Sequence, residues 1–362
     1  MISEATHLQR TRPLALAPAA AVGLLCLALA AIVDALIRHE SHPTGDEPYY
    51  QAMASHPTAP HNFPYAYRIG VPWLVHALPF SPTTSFTLLA LLAIAAAGGA
   101  MFALLEEFGV ERWLAVALSI AFALSPTLLV VLPRYGRSID PASILVLVLG
   151  CLFIVRRQRI ALGVTILIGV TIRESSLFLI PLAYAVWAQR PFDRDALRDT
   201  ALVGILPVVA YLVLRTSIDA LGRQYEPGYS GPFFKARVDL VREALSGSSA
   251  PTELRRLALA FGVLWLLAPF ALRDLPFARR GLVLVVLCIA AMTYAFDWGR
   301  IIFLAAPVIY VAAAYVLRGR SRLALATVVA VLALDVGYAV YLQVHGVQHG
   351  LDTSVSRHIP VY

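Results

Sequence analysis

The residues that could do chemistry sit in short polar stretches between long apolar runs. The first stretch, GDEPYYQAMA (45–54), sets Asp46 and Glu47 side by side ahead of Tyr49 and Tyr50. A carboxylate can take a proton from a hydroxyl nucleophile, or help to hold a divalent cation. FPYAYRIGVPWL (63–74) adds Arg68, PRYGRSID (133–140) adds Arg134, Arg137 and Asp140, and TIRESS (171–176) adds Arg173 and Glu174. DWGR (297–300) completes the set with Asp297 and Arg300. Arginine presents a rigid fork of donors that matches phosphate oxygens. Several arginines with one or two carboxylates, open sideways to lipid, suit a substrate that joins a phosphate to an apolar tail. For any one cluster, an ordinary ion pair at a helix end is the competing explanation.

The elements that must position these residues are apolar. Of 362 residues, 59% are hydrophobic and 14% charged, and the mean hydropathy is +0.74. A soluble domain carries about 25% charged residues, so the composition points to a polytopic membrane protein. The apolar runs do not alternate in polarity, and backbone groups in hydrocarbon must be satisfied within the segment. The expected fold is therefore an all-α transmembrane helical bundle, one integral membrane domain over 1–362. Eleven spans are expected, near 14–37, 84–105, 113–132, 139–155, 160–172, 175–188, 200–218, 256–272, 281–296, 301–317 and 323–343.

The first of these runs follows Arg10 and Arg12 as a signal sequence would, but continues to Ile37 and reads as an uncleaved helix. Residues 160–188 could form one helix with Arg173-Glu174 at mid-depth. Two short helices meeting at that pair keep the charges at an edge, where they cost less. With the N-terminus cytoplasmic, the connections RRQR (156–159), RPFDRDALRD (190–199), RDLPFARR (273–280) and RGRSR (318–322) all fall inside, as the positive-inside rule wants. EEFGVER, net acidic, is the exception. The external side then holds two larger loops, 38–83 and 219–255, and every charged cluster named above. In the second loop, Phe233 to Leu245 reads as an amphipathic helix. In the first, Pro48 suits a helix start just after Asp46, and Ile69, Trp73, Leu74 and Leu78 could form the apolar face of a helix lying along the interface.

Asp-Glu-x-x-Tyr-x-x-x-Ala just after the first span, followed by FPYAYRIGVPWL, resembles the first external loop of the GT-C superfamily. The closest likeness is to polyprenyl-phosphate-sugar transferases of the protein O-mannosyltransferase and aminoarabinose-transferase type. The likeness covers about 40–80 and extends more loosely to TIRESSLFLIPLAY (171–184) and DWGRIIFLAAPVIY (297–310). Arg68 stands where those transferases usually have a lysine. The resemblance implies an integral membrane glycosyltransferase of the inner membrane, moving a sugar from a polyprenyl-phosphate donor to an acceptor on the outer face. Asp46 would be the base, and Glu47 its neighbour in the catalytic pair, orienting arginines or a metal. Arg173 and Arg300 would hold the donor phosphate, with Arg68, Tyr50, Arg134, Arg137, Glu174 and Asp297 lining the substrate site.

Other residues point less far. His39, His42, His56 and His61 crowd the first loop, but their spacing matches no zinc motif, so no metal ligands are assigned. A divalent cation at the carboxylates is the one cofactor the sequence leaves open. The basic balance of +7 is scattered arginine rather than a stripe interleaved with aromatics, so the partners are membrane lipid and a lipid-linked donor, not nucleic acid. The alternatives are a transporter or flippase for an anionic lipid or solute, and a non-catalytic envelope-assembly protein. A transporter would favour internal repeats and charges at mid-membrane; no repeat is visible.

Overall fold

The computed structural model describes residues 16–37, 46–128, 139–221, 238–239, 241–242, 244–246, 249–294 and 298–345. They are almost entirely helical. In chain order the helices are α1 (Leu16–Leu36), α2 (Glu47–Ser55), α3 (Gly70–Ala77), α4 (Pro82–Glu107), α5 (Arg112–Ala123), α6 (Asp140–Val155), α7 (Arg159–Ile172) and α8 (Leu179–Trp187). They continue with α9 (Arg194–Ser217), α10 (Ser249–Phe261), α11 (Leu264–Leu267), α12 (Pro276–Ala291), α13 (Trp298–Phe303), α14 (Ala306–Leu317) and α15 (Ser321–His345). Two short strands, β1 (His61–Asn62) and β2 (Ala220–Leu221), pair in parallel.

Among the described residues, four helices are long and apolar enough to cross a membrane: α1, α4, α9 and α15. A fifth crossing is added if α10 and the segment after it, bent by 73°, count as one broken span. The other apolar helices run 10–17 residues, short of the roughly 20 that a typical bilayer asks of a straight helix. Residues such as Leu24, Ile32, Leu202, Ile205, Val329 and Val336 on the outer helices are exposed. An apolar surface of that extent fits a lipid surround and not water.

Local chemistry sets several boundaries. Ser81 caps α4, its hydroxyl accepting from the Thr84 N–H at 3.2 Å, with Pro82 in the first turn. Asp193 caps α9 through the N–H groups of Asp195 and Ala196. The turn after α4 passes through Gly109, whose φ of +68° suits a residue without Cβ. Helix α4 is the centre of the bundle, almost wholly buried from Ala93 to Leu105. Its Gly99 lies against α1, where a Cβ would come within 2.6 Å of the Ala19 carbonyl oxygen. Close backbone approach of this kind maximises packing where no hydrophobic force acts between helices.

The chain reverses at Arg173, which is extended (φ −158°, ψ 138°) between α7 and a 3₁₀ turn at Glu174–Phe178. Arg173 bridges to Asp140 at the start of α6, while Trp187 at the end of α8 donates to the Ile154 carbonyl at the foot of α6 (2.9 Å). Residues 159–187 are therefore two antiparallel pieces, not one continuous helix. At the foot of the bundle, Glu106 pairs with Arg112 (3.0 Å), Glu107 with Arg156 (2.5 Å), and Glu111 accepts from the Gly319 N–H (2.8 Å). The acidic EEFGVER turn, anomalous by loop charge, is thus neutralised by arginines and a backbone donor that share its end.

The second-loop boundary shifts. Residues up to 255 were expected outside the span, but α10 begins at Ser249. Glu253 and Arg256, one helical turn apart, form an ion pair that is almost fully buried. Hydropathy leaves Glu253 in the loop and starts the span at Arg256, because it cannot see that the two charges neutralise each other. The expected helix at 233–245 lies largely outside the described residues.

Candidate functional site

Segments far apart in sequence bring their charged side chains to one end of the bundle. Asp46 stands immediately before α2, with Glu47 buried as its first residue. The positive end of the helix dipole faces both carboxylates. Asp46 Oδ1 accepts from the Tyr65 hydroxyl at 2.8 Å. The Tyr65 ring stacks on Tyr49 (4.4 Å between centroids) and meets Tyr50 edge-on (5.4 Å). Arg300, on α13, places Nη1 3.7 Å from Asp46 Oδ2 and donates to Asp140 Oδ2 at 3.0 Å. Arg173 Nη1 donates to the other oxygen of Asp140. Asp140 thus bridges two arginines that lie far apart in the chain.

A second pair adjoins the first. Arg68 donates from Nη2 and Nε to the two oxygens of Glu174 (2.7 and 3.2 Å), and from Nη1 to the Tyr50 hydroxyl (3.1 Å). Partial loss of hydration pushes the half-exposed Glu174 carboxyl up, but the Arg68 guanidinium more than reverses this and holds it down at about 2. Burial pushes the Tyr50 phenol up to about 12, against the opposing pull of Arg68. Tyr65 is pushed higher still, by burial first and then by Asp46. Both phenols stay protonated at neutral pH, so Tyr65 remains a donor to Asp46.

The scaffold explains why these groups meet. A Cβ on Gly70 would come within 2.4 Å of the Thr171 hydroxyl, so α3 sits directly on the end of α7 and carries Arg68 to Glu174. His76 Nδ1 lies 2.9 Å from the Ala54 carbonyl oxygen, tying α3 to α2. The β1–β2 pair and the Arg215 guanidinium, 4.4 Å over the Tyr67 ring, fasten this loop to the end of α9. Beneath Arg300, Glu253 Oε2 accepts from the Trp298 N–H at 2.9 Å. Gly299 packs on Arg256, where a Cβ would lie 3.0 Å from the arginine Cβ. Phe303 stacks between Phe122 (5.6 Å) and Phe261 (5.5 Å). Hence α13 is held at both ends.

Of the candidate residues, Asp46, Arg300, Arg173, Arg68, Glu174 and Tyr50 converge. Glu47 adjoins them in sequence and is buried. Arg134, Arg137 and Asp297 lie outside the described residues, as do His39 and His42. Two important members had only weak signals. Asp140 is one of three charges in its stretch, and nothing local in that stretch marks it as the bridge between Arg173 and Arg300. Tyr65 has no local signal that ties it to Asp46, 19 residues earlier. Glu253 and Arg256 had no signal beyond their spacing of three. The helix expected from Ile69 to Leu78 is present as α3, with Trp73 and Leu74 half exposed and Val71, Pro72 and Val75 packed inward.

Asp140 is only 7% exposed and Asp46 25%. That contrast separates their chemistry: Asp46 can meet an incoming group, while Asp140 is a buried counter-ion. Among the described residues, no three His, Cys, Asp or Glu side chains group to hold a metal, and the carboxylates here face arginines. The arrangement can therefore bind an anion and accept a proton beside it. No protein-family model matches the chain, and the search of curated proteins finds none similar to it.

Proposed function

We propose that the chain is an integral membrane glycosyltransferase that moves a sugar from a polyprenyl-phosphate donor to an acceptor, with Asp46 as the base. The observation that carries this reading is the convergence of Asp46, Asp140, Arg173 and Arg300 within hydrogen-bond or ion-pair reach. The reading extends to topology. The five crossings of sufficient length combine with the short apolar helices, α12 included, into eleven crossings. The N-terminus is then cytoplasmic and the charged cluster lies on the outer face of the inner membrane.

In this mechanism the acceptor's O–H or N–H hydrogen-bonds to Asp46 Oδ2, while Tyr65 holds Oδ1 and fixes the orientation of the carboxylate. The acceptor atom attacks the anomeric carbon from the side opposite the phosphate. Its proton passes to Asp46 as the new bond forms and the bond from carbon to phosphate oxygen breaks. The bonding electrons leave with the phosphate, so charge grows on its oxygens. Arg300 and Arg173 receive that charge. The cluster of Asp46, Asp140 and Glu174 against Arg68, Arg173 and Arg300 is formally balanced. Each guanidinium has five N–H donors, so the donor phosphate shares the two arginines with Asp140 and leaves no buried carboxylate unpaired. The anomeric configuration inverts.

The test is Asp46→Asn in purified protein reconstituted with polyprenyl-phosphate sugars, reading free polyprenyl phosphate released in the presence of candidate acceptors. A positioned base contributes about 10²–10⁴-fold, so turnover should fall by that order while the protein still unfolds at the wild-type temperature. Turnover within twofold of wild type in folded Asp46→Asn protein refutes the base role. Lipid movement across vesicles without sugar release, unaffected by the substitution, would replace the enzyme with a flippase.

A further inference from the structure

At the end of the bundle away from Asp46 lies a cavity of about 490 Å³, between the 3₁₀ turn at Ala268–Leu272, the end of α14 and the start of α15. Its polar wall is Arg273, Arg318 and Arg320 with one carboxylate, Asp274; its apolar wall includes Phe270 and Leu323. Three guanidiniums against one carboxylate leave a formal surplus of two positive charges. Arg318 is already fixed: it donates to the Phe108 carbonyl oxygen at 3.1 Å and lies 4.8 Å over the Tyr315 ring. Arg273 and Arg320 have no carboxylate within ion-pair distance among the described residues, although acidic side chains at this end pair with other arginines. Phe270 is 71% exposed and Leu323 42%, so the apolar wall opens onto the bundle's apolar flank.

We infer that this cavity is a binding site for an anionic phospholipid, taking the headgroup phosphate on Arg273 and Arg320 and an acyl chain along Phe270 and Leu323. The two walls match the two halves of that molecule. Phosphate oxygens fit the guanidinium forks, and basic pockets between helices at a membrane edge suit anionic headgroups. A soluble anion would gain nothing from the apolar wall. A zwitterionic lipid would bring its own cation against the charge surplus. The site is separate from the Asp46 cluster and independent of the sugar-transfer reading.

The test is thermal unfolding of the full chain in mild detergent with added phosphatidylglycerol or diphosphatidylglycerol, compared with phosphatidylcholine and with inorganic phosphate. The anionic lipids should raise the unfolding temperature; phosphatidylcholine and inorganic phosphate should not. In Arg273→Ala/Arg320→Ala protein the apparent lipid affinity should fall at least about tenfold, since each charge-assisted contact contributes about a decade. Its lipid-free unfolding should be unchanged, because neither side chain carries an ion pair. A control variant, Arg194→Ala/Arg198→Ala, removes exposed charge elsewhere and should keep the wild-type response. If the double variant unfolds prematurely, Phe270→Ser should weaken the lipid response in its place. The inference is overturned by no lipid response, by an equal response to inorganic phosphate or phosphatidylcholine, or by equal loss in the control variant.

Discussion

Asp140→Asn removes one charge and leaves the carboxylate's shape almost intact. Asp140 is 7% exposed and faces Arg300 at 3.0 Å and Arg173 more closely, both arginines themselves largely buried. Two unit charges 4 Å apart attract by about 4 kcal/mol at an effective dielectric of 20, so the gross loss across both arginines is roughly twice that. Much of it is offset, because the neutral amide no longer bears the cost of taking a carboxylate out of water. Breaking one side of a buried pair typically costs 3–5 kcal/mol, and about 3 kcal/mol is expected here because Arg300 keeps Asp46 at 3.7 Å. The protein carries its own reporters: Cys26, Cys151 and Cys288 are free and fully buried. A dye that fluoresces on reacting with thiols therefore follows unfolding in detergent. Asp140→Asn should unfold at markedly lower temperature, and adding Arg173→Gln should recover part of the loss, with a coupling of about 1–3 kcal/mol. If Asp140→Asn matches wild type, or if the two substitutions add to within about 0.5 kcal/mol, Asp140 is not the shared counter-ion and the geometry argued above fails.

Tyr65→Phe deletes the donor to Asp46 but keeps the stack on Tyr49; it should cost about 1.5–3 kcal/mol of stability, as bonds to charged groups do, and lower sugar release by more than it lowers donor binding. The Glu174 carboxyl is held at about 2, below the ordinary value of 4.5, so the stability it contributes is present in full above about pH 4.5 and is lost as the pH falls toward 2. Glu174 is half exposed, which screens the pair, so Glu174→Gln should cost about 1 kcal/mol at pH 7; the gap to wild type in thiol-dye unfolding should hold from pH 8 to 5 and close below 4. Gly70→Val pushes a side chain into Thr171 and should cost about 1–3 kcal/mol, with sugar release falling alongside, because α3 carries Arg68; wild-type unfolding in this variant would show that α3 is not seated on α7.

Composition and apolar run length by themselves decided that this is a helical protein with lipid-facing surfaces. Hydrocarbon-compatible helices satisfy their backbone locally, so their signature is local in sequence. The reversal at Arg173 was legible for the same reason: two charges in a row at the middle of an apolar stretch mark an edge. The polar residues of the first loop also stood out by type, since Asp46, Tyr50 and Arg68 are expensive beside a membrane without a purpose. What composition could not supply was partnership. Asp140 and Arg300 are 160 residues apart, Arg68 and Glu174 are 106 apart, and nothing local in either stretch encodes the other. Glu253 was assigned to a loop, although it lies in α10 paired with Arg256, because charge neutralisation is a pairwise property and depends on how Trp298 and Gly299 pack against the pair. Residue type fixed which groups could act, but only the fold decided which of them stand within bonding distance, because that depends on where the helix ends meet.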